Sequence, residues 1–288
     1  MNWLDIFAQA FTMPFMVRAA IVLGVLTLAA GVIGVFVNLR GLEFMTDGLT
    51  HAVFPGIAAG FAFAGQGGLF VGAAISAALA TVILTVLTHR RITSDAAVAI
   101  ILTAMFSLGV VIVSRSRHVT GSLEQLLFGH LFTITPLELW LSVGICLAAL
   151  AMIVLTIRGQ VYSAFDQAGA KASGYGQLAN TLILNVAIAC VVVAASIAVG
   201  NLLVLAVLIV PGAVGRMWAR GLGGIFAGSL IFAVVMALCG LVGAFTVSVG
   251  LDVAIPGGAA IAVVFVAGYV VSLILRAIIR PRVKGGHE

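Results

Sequence analysis

The sequence predicts an all-α polytopic membrane protein with eight to nine transmembrane helices, and three observations carry that expectation. Of its 288 residues, 63% are hydrophobic and only 8% are charged, against roughly 25% charged in soluble domains, and the mean hydropathy is +1.29. Apolar runs of about 20 residues, the length that crosses a hydrocarbon core, recur along the whole chain between short polar connections. The basic residues are also unevenly placed. With loops 89–95 and 158–177 and the C-terminus in the cytoplasm, 11 of the 14 Lys and Arg residues share that side, leaving Arg18, Arg115 and Arg117 outside, as the positive-inside bias requires. The net charge of +5 is thus explained by loop bias and not by a nucleic-acid partner. No length remains for a soluble domain, so residues 1–288 are expected to form a single transmembrane domain in contact with the lipid bilayer.

Taken in order, residues 1–14 place Trp3, Phe7 and Phe11 at four-residue steps with Asp5 and Gln9 between them, a pattern suited to an interfacial helix lying on the membrane. No basic n-region with a small-residue cleavage site opens the chain, so the first span, about 17–38, is expected to direct insertion itself. The second span is about 44–64, and its Pro55-Gly56 pair is expected to kink or break it, as transport proteins tolerate where backbone lines a cavity. Span three, about 69–88, follows a Gly-Gln-Gly-Gly turn. Span four opens at Asp95, which follows Ser94 and suits helix capping. Between spans four and five, residues 122–131 are amphipathic but too short to cross, as a re-entrant or surface helix would be.

Span five, about 137–157, leads into the longest polar loop, 158–177. Span six is about 179–199. Span seven, bounded by Asn201 and Arg216, is short for a bilayer and carries a second pair, Pro211-Gly212, expected to interrupt it as Pro55-Gly56 interrupts span two. Nine spans put the N-terminus outside; eight spans plus a buried helix is the other count. Spans eight and nine, about 222–246 and 257–276, flank Asp252. That residue suits a helix cap or a solvated loop, and also a cation-attracting position at the outer mouth. Residues 277–288 form a basic tail expected beside anionic headgroups. Cys146, Cys190 and Cys239 fall singly inside apolar runs and read as core packing rather than as disulfides or thiolate ligands.

Within span two, Asp47 and His51 stand four residues apart and therefore lie one turn apart on one helix face. An ionisable side chain at mid-membrane costs roughly 2.5–3.5 kcal/mol on insertion scales and normally faces a partner or a wet path. A carboxylate oxygen and an imidazole nitrogen so placed suit a divalent metal such as zinc, manganese or iron. The bare pair also fits a cap or an internal Asp–His bond.

The surrounding residues discriminate between these readings. The segment Met45-Thr-Asp-Gly-Leu-Thr-His-Ala-Val-Phe-Pro-Gly56 resembles the Asp-Ala-x-Ser-His-Ala-x-x-Pro-Gly motif of the permease subunits of zinc/manganese/iron ABC importers, with Gly48 for the usual Ala and Thr50 for the usual Ser. Asp95-Ala96-Ala97 and Leu127-Phe128-Gly129 are similar to two further elements of that family, with His130 where most relatives have a small or acidic residue. Phe165-Asp-Gln-Ala-Gly-Ala-Lys-Ala-Ser-Gly174-Tyr175 matches the spacing of its coupling element, although Gln167 and Ala168 replace the usual Pro-Glu. Residues 199–211 follow the segment Val-Gly-x-Leu-Leu-x-x-Ala-Leu-Leu-x-x-Pro almost throughout.

The resemblance implies the vitamin B12-type ABC importer permease fold in the bacterial cytoplasmic membrane, working as a homodimer with an ABC ATPase subunit and an extracytoplasmic metal-binding protein. It implies a translocation path touched by Asp47 and His51 and lined by the breaks at Pro55, Gly56, Pro211 and Gly212. His130 and Asp252 become candidate contacts at the outer mouth, and Phe165, Asp166, Ala170, Gly174 and Tyr175 the ATPase-coupling segment. No permanently bound cofactor is implied: the metal is cargo and ATP belongs to the partner subunit. In agreement, the chain has no G-x-x-x-x-G-K-[ST] phosphate loop, and no H-E-x-x-H or nucleophile elbow that would make it an enzyme. A same-fold permease for a metal chelate and an ATPase-independent metal transporter are the alternatives, with an intramembrane metalloenzyme a more distant third.

Overall fold

The computed structural model describes residues 13–89, 94–115, 129–251 and 255–279. These form α-helices and two short 3-10 turns, with no strand among the described residues. In chain order the helices are α1 (Pro14–Arg40), α2 (Glu43–Ala64), α3 (Leu69–His89), α4 (Ser94–Arg115), α5 (Pro136–Leu155), α6 (Ile157–Phe165), α7 (Gln167–Ala172), α8 (Gln177–Ala198), α9 (Asn201–Trp218), α10 (Leu222–Leu251) and α11 (Gly257–Ile279). Eight apolar helical stretches are long enough to cross a membrane, and one of them, Glu43–Thr88, is itself the α2–α3 pair folded back through a 3-10 turn at Gly65–Gly68. Counting that pair as two gives nine membrane helices among the described residues.

The hairpin follows from its small residues. Gly56 and Gly60 on α2 face Gly72 on α3 and Gly68 at the end of the 3-10 turn so closely that a Cβ on any of the four would strike backbone across the hairpin. One turn further, the Ser76 hydroxyl donates to the Ala52 carbonyl at 2.6 Å. Lipid tails give apolar side chains no reason to leave them for one another, so membrane helices associate through close backbone packing and occasional hydrogen bonds. Three successive turns of α2 and α3 meet in this way.

α1 and α8 lie in the middle of the bundle, with Leu23, Leu26, Ile33 and Phe36 of the first and Leu184 and Ile188 of the second fully buried. α9 and α10 pack along α1, α3 and α5 flank α8, and α2 stands between α3 and α4. Polar cross-links fix α1 to its neighbours. Asn38 Nδ2 donates to the Ile209 carbonyl of α9 at 2.9 Å, Arg216 Nη1 donates to the Asn38 carbonyl at 3.0 Å, and Ser229 Oγ of α10 donates to the Gly31 carbonyl at 2.9 Å. The outward faces of α3 and α11 expose Val71, Ile75, Leu79, Val263, Val266 and Val270, as a lipid-facing surface should.

Each span lies within a few residues of its expected place, and several expectations need correction. Pro14, grouped above with the interfacial segment 1–14, is the first residue of α1, because proline's fixed φ and missing N–H suit the first helical turn. Neither Pro55 nor Pro211 breaks its helix: both lie inside continuous α-helix, since proline removes one N–H and membrane packing supports the rest. The polar stretch 158–177 is largely helical, as α6 and α7, because nine residues from Ile157 and six from Gln167 close their own hydrogen bonds. Cys146 is buried, but Cys239 is exposed on the apolar surface, and both are free thiols, as is Cys190. Residues 1–12, Asp252 and the tail beyond Ile279 lie outside the described residues, as does most of 122–131.

Candidate metal centre

Asp47 and His51 are carried in the first half of α2. His51 Nε2 lies 3.5 Å from Asp47 Oδ1, and the two side chains are 35% and 31% exposed on the surface of the single chain. That exposure decides how the pair is read: a structural Asp–His pair in an apolar helix would be enclosed, and this one is open. At 3.5 Å the contact is too long for a well-formed hydrogen bond. With ligand distances of about 2.1–2.2 Å, two atoms so spaced subtend about 110° at a shared metal ion.

The pair is held by what lies behind it. The His51 ring meets Phe106 of α4 edge-on with centroids 6.0 Å apart, and Phe106 in turn stacks on Phe54 at 6.0 Å. Gly48 gives room for the Val98 side chain, which a Cβ would meet at 2.6 Å, so α4 comes close enough to support the imidazole. Thr50 Oγ1 donates to the Asp47 carbonyl at 2.7 Å. From the other side Asn201 Nδ2 donates to the Thr50 carbonyl at 3.2 Å, and Ser196 Oγ donates to Asn201 Oδ1 at 2.9 Å. The corner between α8 and α9 therefore sits beside the middle of α2. Gly129, at φ 73°, packs on backbone of Val199 and Gly200 at this corner.

Among the described residues no three His, Cys, Asp or Glu side chains gather as a metal cluster. The chain by itself offers two ligands at Asp47 and His51, an incomplete shell. His130 is not near this pair in the bonding sense; it pairs with Glu138, Nε2 to Oε1 at 3.3 Å. Glu138 also closes a capping box with Thr135 at the start of α5. The sequence signal for that box, Thr-Pro-x-Glu, was present; its meeting with His130 was not readable.

Of the residues expected to line the path, Pro55 and Gly56 border an open apolar hollow between α2, α3 and α4, whereas Pro211 and Gly212 are buried. Gly56 packs against α3, and Gly212 packs against Gly34 and Asn38 of α1, with Pro211 buried beside it. These glycines serve close helix contact, and Pro211-Gly212 faces α1 and not an open channel.

At the end of the bundle that carries α6 and α7, Asp166 caps α7 by accepting from Gly169 N at 2.9 Å. Ala170 is buried, and Gly174 takes φ 83°. Tyr175 stacks on Tyr162 with centroids 5.8 Å apart, while Phe165 is 66% exposed. Polar bonds tie this region to the bundle. Arg40 Nη2 donates to Gln160 Oε1 at 2.8 Å, Gln160 Nε2 donates to the Asn180 carbonyl at 3.0 Å, and Asn180 Nδ2 donates to Ser163 Oγ at 3.1 Å.

A bundle of apolar helices with a half-open Asp–His pair and an exposed aromatic segment at one end is an arrangement suited to a transport permease. Residues 12–276 match the model of the ABC 3 transport family, and the chain belongs to that family. It is 34% identical over 224 residues to the manganese transport system membrane protein MntC of Halalkalibacterium halodurans, covering 77% of this chain and 75% of that protein. It is 32% identical over 204 residues to the manganese import system permease protein ScaB of Streptococcus gordonii, covering 70% and 71%. Among solved structures, PsaBC from Streptococcus pneumoniae in complex with Fab aligns at TM-score 0.79 and 26% identity over 93% of this chain and 94% of that one. An inward-facing transporter described as of metal-chelate type, 18% identical at TM-score 0.70, shares the fold. The chain is a multi-pass permease of the bacterial cytoplasmic membrane.

Proposed function

We propose that this chain forms the membrane path of an ATP-driven importer for manganese, passing the ion from an extracytoplasmic binding protein to the cytoplasm. The observation that carries the reading is the Asp47–His51 pair, one third open to the outside of an otherwise apolar helix. The named relatives transport manganese, and an oxygen and an imidazole donor without thiolate suit that ion better than a soft one. A larger chelate would have no use for bare ligands at these positions.

Two ligands per chain make a shell that holds an ion weakly enough to release it. A second copy of the chain related by a two-fold axis brings an equivalent pair to the same ion and removes both pairs from lipid. ATP is bound and hydrolysed by a separate ATPase subunit that docks on α6, α7 and Tyr175. Closure of that subunit moves α6, and the Arg40–Gln160–Asn180 bonds carry the displacement to α1 and α8. The Asp47–His51 face is thereby opened alternately to each side.

Manganese uptake in vesicles holding the chain with its ATPase tests the path. The Asp47→Ala and His51→Ala variants, assembled at normal levels, are expected to import at rates lowered by about 100-fold; an unchanged rate overturns the metal-contact reading. Replacing 165–175 with a Gly-Ser segment is expected to abolish association with the ATPase in a pull-down, and retained ATP-driven import would overturn the docking assignment.

A further inference from the structure

A polar hollow lies beside the start of α5, at the end of that helix away from α6. The cavity is about 230 Å³ and is lined by His130, Glu138, Gln66, Thr133, Thr135 and Ser196, with apolar walls from α2, α3 and α8. We propose that His130 and Glu138 form an outer cation site, a waiting position for the ion before it reaches Asp47 and His51; the inference rests on the importer reading and extends its path.

Four observations support the assignment. Glu138 divides its oxygens: Oε2 accepts from Thr135 N and Thr135 Oγ1, both at 2.9 Å, while Oε1 faces His130 Nε2 at 3.3 Å. The helix cap therefore survives if Oε1 binds an ion. At ligand distances of about 2.1–2.2 Å, a 3.3 Å separation corresponds to an angle near 100° at the metal, between octahedral and tetrahedral values. Among the described residues the lining holds one carboxylate, one imidazole and neutral oxygen donors, with no Lys or Arg, so their field favours a cation, and a hard one. The volume accommodates an ion that keeps several waters.

The hollow also leads to the central pair. Ser196 lines it and donates to Asn201, which donates to the Thr50 carbonyl. Thr50 in turn bonds the Asp47 carbonyl. Ile57 and Phe61, also in the lining, stand six and ten residues beyond His51 on the same helix, about 9–15 Å further along it. A helix-capping role alone leaves the His130 contact and the hydrogen-bonded chain to α2 without a function.

The test is titration of the full-length chain in lipid nanodiscs with manganese chloride, following the loss of the free-ion signal by electron paramagnetic resonance. In an Asp47→Ala/His51→Ala background one manganese ion per chain is expected to remain bound. Adding His130→Gln, or Glu138→Gln, which keeps the cap acceptor while removing the charge, is expected to weaken that binding by about tenfold or more. The proposal is overturned if the double variant binds no manganese, or if binding persists unchanged in both further variants. Neither result touches the central reading, which stands or falls on uptake by the Asp47 and His51 variants.

Discussion

α2 and α9 carry the same Pro-Gly signature, and what surrounds each pair differs in a way that separates structure from function. In α9 the Pro-Gly turn presses on α1, and the polar groups nearby complete one another: Asn38 with Ile209 and Arg216 with Asn38. In α2 the Pro-Gly turn presses on α3, yet the polar pair one turn earlier, Asp47 with His51, is left about a third open. A polar group in a membrane helix that is satisfied within its own chain is a packing device; one left open has to be completed from elsewhere. The lesson is that Pro-Gly marks the close helix contacts, while the proposed metal contacts stand out by their exposure.

The largest effect that can break this contrast is transport itself. Asp47→Ala is expected to lower manganese import by about 100-fold, whereas Arg216→Ala, in the completed set, should leave import within about twofold; equal losses would erase the distinction. Next come the glycines. Gly56→Ala and Gly34→Ala each push a methyl group into a facing backbone, and each should destabilise by about 1–3 kcal/mol, seen as a lowered Tm in nanodiscs. Only the Gly56 change should also depress import in proportion beyond its folded fraction, because it displaces the helix that bears the ligands. The smallest effect is Asn38→Ala, which removes the bond to Ile209 and should cost about 1 kcal/mol with import per folded protein unchanged.

The spans were legible because hydropathy over about 20 residues is a strong signal, and the boundaries of α2, α3 and α8 fell within two residues of expectation. The Asp47–His51 stripe was legible because it is local to one helix. The supports around it were not. Asn201 meets Thr50 across 151 residues and Arg40 meets Gln160 across 120, and no periodicity in one segment reports a partner so distant. The prolines, expected to kink or break their helices, interrupt neither, because the packed bundle supports the neighbouring turns. α6 was read as loop because a polar nine-residue helix gives little hydropathy contrast. The Gly-x-x-x-Gly spacing at Gly56 and Gly60 was present in the sequence, but its mate at Gly68 and Gly72 became meaningful only once the chain folded back.

Arg40 ends α1, and only Gly41 and Leu42 separate it from the first residue of α2. Its guanidinium grips Gln160 in α6. A shove on α6 thus has a strut of one side chain and a two-residue elbow through which to travel before it reaches the start of α2. In the proposed importer the lever is short, so a small movement of the ATPase-facing end would be delivered to Asp47 and His51 with little lost to bending on the way.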